Sequence, residues 1–70
     1  MRNNIRVLRA ERKWTQEHLA KLSGLSRVTI NGIEKGSVNP SGETMLKLSE
    51  VFERPIQDIF FDFGVVYKQQ

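Results

Sequence analysis

The sequence contains no cysteine and a single histidine, His18. The first absence removes disulfide staples and thiolate zinc sites, and it suits a reducing compartment. The second leaves no partner set for a metal quartet or for a Ser/His/Asp or Cys/His nucleophile. Glycine is sparse, five in seventy residues, and nowhere gathered into a phosphate-cradling loop. No apolar run approaches membrane-spanning length, and Met1-Arg2-Asn3-Asn4 is not followed by an apolar signal core. These absences lead us to expect no enzyme, no metal, no cofactor and no membrane association, and a cytoplasmic location. His18 is expected at the surface or half-buried.

Seventy residues make one domain. A chain of this size buries only about 60% of its extended-state surface, so its stability margin is thin. The net charge of +3 is unevenly spread. Residues 1–35 hold eight Lys/Arg against three Asp/Glu, and residues 36–70 hold three against five. A basic half suits a polyanionic partner.

The basic half also carries the most ordered pattern. In residues 15–36, TQEHLAKLSGLSRVTINGIEKG, two short helices are expected, over 16–22 and 27–35, with a turn at Ser23-Gly24. Thr15 and Ser26 stand where a side-chain oxygen caps a helix start. Trp14 with Leu19, and Leu25 with Ile30, have the spacing of hydrophobic staples. Gly24 and Gly36 suit the left-handed residue that ends a helix. On the second of these helices Ile30 and Ile33 fall on one side. Val28, Asn31 and Lys35 fall opposite, flanked by Arg27 and Gly32. A cation, an amide and a small apolar group together have the chemistry that reads base edges in a major groove.

The remaining elements follow from periodicity. Asn4 can cap a first helix running to Lys13, with Ile5 and Leu8 inward and Arg2, Arg6, Arg12 and Lys13 outward. Leu19, Ala20 and Leu22 are the inward positions expected of the second helix. Ser41 can cap a fourth helix, 42–52, whose stripe of Met45, Leu48, Val51 and Phe52 is a core face with Leu46 beside it. Pro55 opens a last short helix, 56–60. In the tail, Phe61, Phe63, Val65 and Tyr67 alternate with other residues, a period of two. Three outcomes stay open for it: a short β-strand paired with Met1–Asn4 or with a second subunit, an apolar patch buried on dimerisation, or a frayed end.

The chain resembles the Cro/C1-type (XRE) family of helix-turn-helix regulators. The matching residues are Thr15-Gln16, Leu19-Ala20, Gly24, Ser26, Thr29-Ile30, Ile33-Glu34 and Gly36. Matches continue at Ile5-Arg6, Leu8-Arg9, Asn39-Pro40-Ser41, Leu46, Leu48 and Asp58-Ile59-Phe60, so the resemblance covers residues 5–60. It implies an all-α, five-helix lambda-repressor-like domain with its helix-turn-helix over 16–35. It also implies a sequence-specific DNA-binding transcriptional regulator, expected to repress as a homodimer on a palindromic operator, with no small-molecule effector. An antitoxin-like or other protein-interaction module is the alternative.

Carried onto this chain, the resemblance places Arg27, Val28, Asn31 and Gly32 at the bases. Arg27 would take guanine or a phosphate, Asn31 adenine and Val28 a thymine methyl group. Gln16, Ser26, Lys35 and Asn39 would hold the DNA backbone. Arg9 and Glu34 would form an ion pair that locks the first helix to the third. Three residues depart from the family pattern. Trp14 replaces an aliphatic residue, Gly32 interrupts the third helix, and Glu53 stands where a helix-ending Gly or Asn is usual.

Overall fold

The structure is a computed structural model and describes residues 1–61. Five helices follow in order: α1 (Ile5–Arg12), α2 (Gln16–Ser23), α3 (Arg27–Lys35), α4 (Gly42–Phe52) and α5 (Ile56–Ile59). Local chemistry sets their ends. Thr15 accepts from the His18 N–H at 2.9 Å, Ser26 from Thr29 at 3.0 Å and Ser41 from Thr44 at 3.1 Å, each satisfying an orphan donor of a first turn. Gly24 and Gly36 end α2 and α3 with φ of 78° and 82°.

The helices bury one apolar cluster. Ile5 and Leu8 of α1, Leu19 and Ala20 of α2, and Ile30 and Ile33 of α3 meet Leu48, Phe52, Ile59 and Phe60. Trp14, Leu25, Met45 and Val51 close its edges. α2 departs from expectation at Leu22, which is 47% exposed, while Ser23 is buried. On the helix Ser23 falls between Leu19 and Ala20, whereas Leu22 lies well to one side. Ser23 pays no unpaired-polar penalty, since its hydroxyl donates to the Ala20 carbonyl and accepts from the Leu25 N–H, both at 3.3 Å.

The start of α1 is also built differently. Asn4 makes no side-chain cap. Asn3 takes the role, accepting from the Ile5 N–H at 3.1 Å while its amide donates to the Ile33 carbonyl at 2.8 Å. One side chain thus starts α1 and holds the end of α3. Phe60 leaves α5 in extended geometry and forms an isolated antiparallel bridge with Asn3. The Asn4 N–H bonds the Ile59 carbonyl at 2.8 Å and the Phe61 N–H bonds the Arg2 carbonyl at 3.0 Å. The N-terminal segment is therefore the partner of residues 59–61, and the alternating residues beyond Phe61 lie outside the described part.

Arg12, expected outward, is half-buried. Its guanidinium donates to the Phe52 carbonyl at 2.8 Å and lies over the Phe52 and Trp14 rings, 5.1 and 5.5 Å from their centroids. Trp14 itself stacks on Phe52 at 5.7 Å. This cluster finishes α4 from outside, which explains why the helix stops at Phe52 without a glycine. Glu53 then takes the left-handed conformation, φ 56°, and the Arg54 N–H closes onto the Ser49 carbonyl at 3.2 Å.

Gly32 is buried on the protein side of α3 and not on its outward face. The loop after α3 folds back there, with the Ser37 and Val38 N–H groups on the Gly32 carbonyl at 3.0 and 3.1 Å. A Cβ at position 32 would stand 2.6 Å from Val38 Cγ2. The missing side chain thus makes room for Val38, a stiff β-branched residue whose backbone is already tied down.

Two stability predictions follow from these positions. Glu53→Gly relieves a left-handed non-glycine residue and should raise stability by about 0.5–1 kcal/mol in urea unfolding. Gly32→Ala should lower stability although alanine favours helix by about 1 kcal/mol, and adding Val38→Ala should recover most of the loss.

Candidate nucleic-acid interface

The α2–turn–α3 unit is held from within by Leu19, Ala20, Ile30 and Ile33. Ala20 is small where the two helices cross, and Gly24 makes the turn between them. This leaves one flank of α3 facing solvent. Arg27 and Lys35 are exposed, Val28 is 81% exposed, and Asn31 is half-buried between them. An apolar residue so open, set between a guanidinium and an ammonium, gives the flank both charge and a hydrophobic contact.

Behind this flank lies a polar network that the protein encloses. The Glu34 side chain is 1% exposed and that of Arg9 15%. Arg9 Nε donates to Glu34 Oε2 at 2.6 Å and Arg9 NH2 to Oε1 at 3.1 Å, a two-pronged pair. Arg9 NH1 also donates to the Trp14 carbonyl at 2.9 Å, fixing the residue that leads into α2. Arg6, largely in solvent, lies 3.9 Å from Glu34 Oε1. The structure therefore brings Arg9 and Glu34 together and ties α1, α2 and α3 through them.

Gln16 joins the same network, and this alters its expected part. Its Nε2 donates to Glu34 Oε1 at 3.1 Å and to Asn31 Oδ1 at 3.2 Å. Both amide hydrogens are spent inside the protein, so its side chain has no donor left for a phosphate oxygen. Asn39 is exposed, and its Oδ1 accepts from the Met1 ammonium at 3.4 Å, which leaves its amide hydrogens free. Ser26 donates to Thr29 Oγ1 at 2.9 Å, so the two hydroxyls retain one free O–H between them. The link from Gln16 to Asn31 is what helix-by-helix reading missed. Its only trace is the i, i+3 spacing of Asn31 and Glu34 with an amide opening α2.

Burial works against ionisation of Glu34, but hydrogen bonds from Arg9 and Gln16 and the charges of Arg9 and Arg6 outweigh it. Its carboxyl is held below the ordinary glutamate value. A lowered acid contributes stability that is complete above its unfolded value and is lost as pH falls through the folded one. Acidification should therefore weaken the wild-type fold across the range below the ordinary glutamate value, and Glu34→Gln should lack that part of the slope. At neutral pH the same variant strands Arg9 and should cost about 3 kcal/mol, read by urea unfolding.

Sequence and structure comparisons agree with this geometry. A helix-turn-helix family match spans residues 5–59. An HTH-type transcriptional regulator of Archaeoglobus fulgidus is 47% identical over 60 residues, covering 86% of this chain and 84% of that protein. The transcriptional repressor RstR of cryptic phage CTXphi, from Vibrio cholerae, is 37% identical over 60 residues, covering 86% of this chain and 54% of the repressor. The crystal structure of the restriction-modification controller protein C.AhdI from Aeromonas hydrophila superposes with a TM-score of 0.74 at 38% identity, covering 79% of this chain and 83% of that one. No helix among the described residues is long and apolar enough to cross a membrane. The chain belongs to the Cro/C1-type (XRE) helix-turn-helix family of transcriptional regulators.

Proposed function

We propose that this regulator is a cytoplasmic repressor that binds a palindromic operator as a homodimer, with α3 in the major groove. The observation that carries the reading is the solvent-facing flank of α3, where Arg27, Val28 and Lys35 stand exposed with Asn31 among them. Arg27 reads guanine, Val28 meets a thymine methyl group and Asn31 contacts a base edge. Lys35, Asn39 and the Ser26–Thr29 hydroxyl pair position the protein on phosphates. Repression is supported by the similarity to RstR, whose name records that role. It requires only occupation of DNA, with no catalytic step.

One module offers few base contacts, each worth about 1–3 kcal/mol of discrimination. A two-fold dimer doubles them on half-sites about 34 Å apart. We assign the dimer contact to the tail beginning at Phe61, which is exposed.

The test is selection of duplexes from a random pool, followed by salt titration on the selected site. A palindromic motif, with affinity falling steeply as salt rises, is expected. Arg27→Ala should relax one position of each half-site. Lys35→Ala should weaken all sequences alike and reduce the salt slope by about 1 per subunit. Recovery of no motif would overturn the reading.

A further inference from the structure

The exposed end of the Arg9–Glu34–Gln16–Asn31 network has a fixed polarity. An ionised carboxylate only accepts hydrogen bonds, and Glu34 receives two from Arg9. Gln16, 3.1 Å from Glu34 Oε1, must therefore turn its NH2 and not its carbonyl toward it. The second hydrogen of that NH2 points to Asn31, 3.2 Å away, which can meet it only with Oδ1. With Asn31 reversed, two NH2 groups would face each other. Arginine stays protonated in proteins, so the chain of donors and acceptors has a permanent anchor.

The other ends of both amides, Gln16 Oε1 and Asn31 Nδ2, have no partner among the described residues. No buried side-chain nitrogen or oxygen there lacks one, so these two atoms reach solvent. At the flank of α3, Asn31 thus offers N–H donors, while its acceptor already serves Gln16. An amide that reads adenine bidentately needs one donor and one acceptor, whereas the guanine edge shows two acceptors, N7 and O6.

We infer that Gln16 is a positioning residue for base recognition: by holding Asn31 Oδ1 it makes Asn31 a donor that selects the N7/O6 edge of guanine. The inference rests on α3 being the helix that contacts bases. It assigns Gln16 a part in specificity in place of a phosphate contact, and it makes the buried ion pair the origin of a base preference.

Two measurements test it. In the free wild-type protein, proton exchange of the side-chain amides followed by NMR should be slow for Gln16 NH2 and fast for Asn31 NH2. The reverse order would overturn the assigned polarity without reference to DNA. On DNA, Asn31→Ala identifies the base pair that Asn31 reads within the motif selected by wild type. A G·C pair is expected there, and 7-deazaguanine at that position should weaken wild type on the order of tenfold while leaving Asn31→Ala unaffected. Gln16→Met should relax the preference at that pair alone. An A·T pair at the Asn31 position, indifference to 7-deazaguanine, or a uniform loss across all sequences in Gln16→Met would refute the inference while leaving DNA reading by α3 intact. A wild type that selects no motif would instead remove the reading on which it rests.

Discussion

The fold turns on one carboxylate taken out of water. Glu34 lies on the inner side of the helix whose outer side is exposed, and its enclosure is tolerable only because Arg9 grips both oxygens. That grip fixes more than two side chains. Arg9 also bonds the carbonyl of Trp14, the residue from which α2 departs. Asn3 adds a second tie, from the first residues of the chain to the Ile33 carbonyl beside Glu34. α3 is thereby located by polar bonds at its far end and by Ile30 and Ile33 along its length. Apolar burial supplies the driving force, and the polar ties remove the freedom to rotate or slide that burial alone leaves.

Much of this was legible in the residues. The limits of α3 follow from Ser26 and Gly36, since a hydroxyl cap and a left-handed glycine are local chemistry. The core stripes of α1, α3 and α4 follow from spacing. The pairing of Arg9 with Glu34 was implied by family resemblance, because nothing local links residues so distant in sequence.

What was not legible depends on a second element arriving. A helical projection of α3 places Gly32 beside the outer face, and cannot show that the loop at Val38 returns to cover it. The same projection of α1 sends Arg12 outward, blind to the end of α4 that draws it back. Gln16 looks like a free amide at a helix start until Glu34 and Asn31 are set on either side of it. In α2 the difference between Leu22 and Ser23 is one of angle, and the apolar choice was the wrong one because a buried serine can satisfy itself locally.

The bond between Gln16 and Asn31 also bears on how such a domain diversifies after gene duplication. Arg27, Val28 and Lys35 project from the scaffold without touching its interior network, so each is open to replacement on its own. Positions 16 and 31 are not independent in this way. A new residue at one meets an unsatisfied donor or acceptor at the other, and mutational drift there proceeds by matched exchange. Paralogues descended from this chain would then show single changes at the first three sites and correlated ones at the last two.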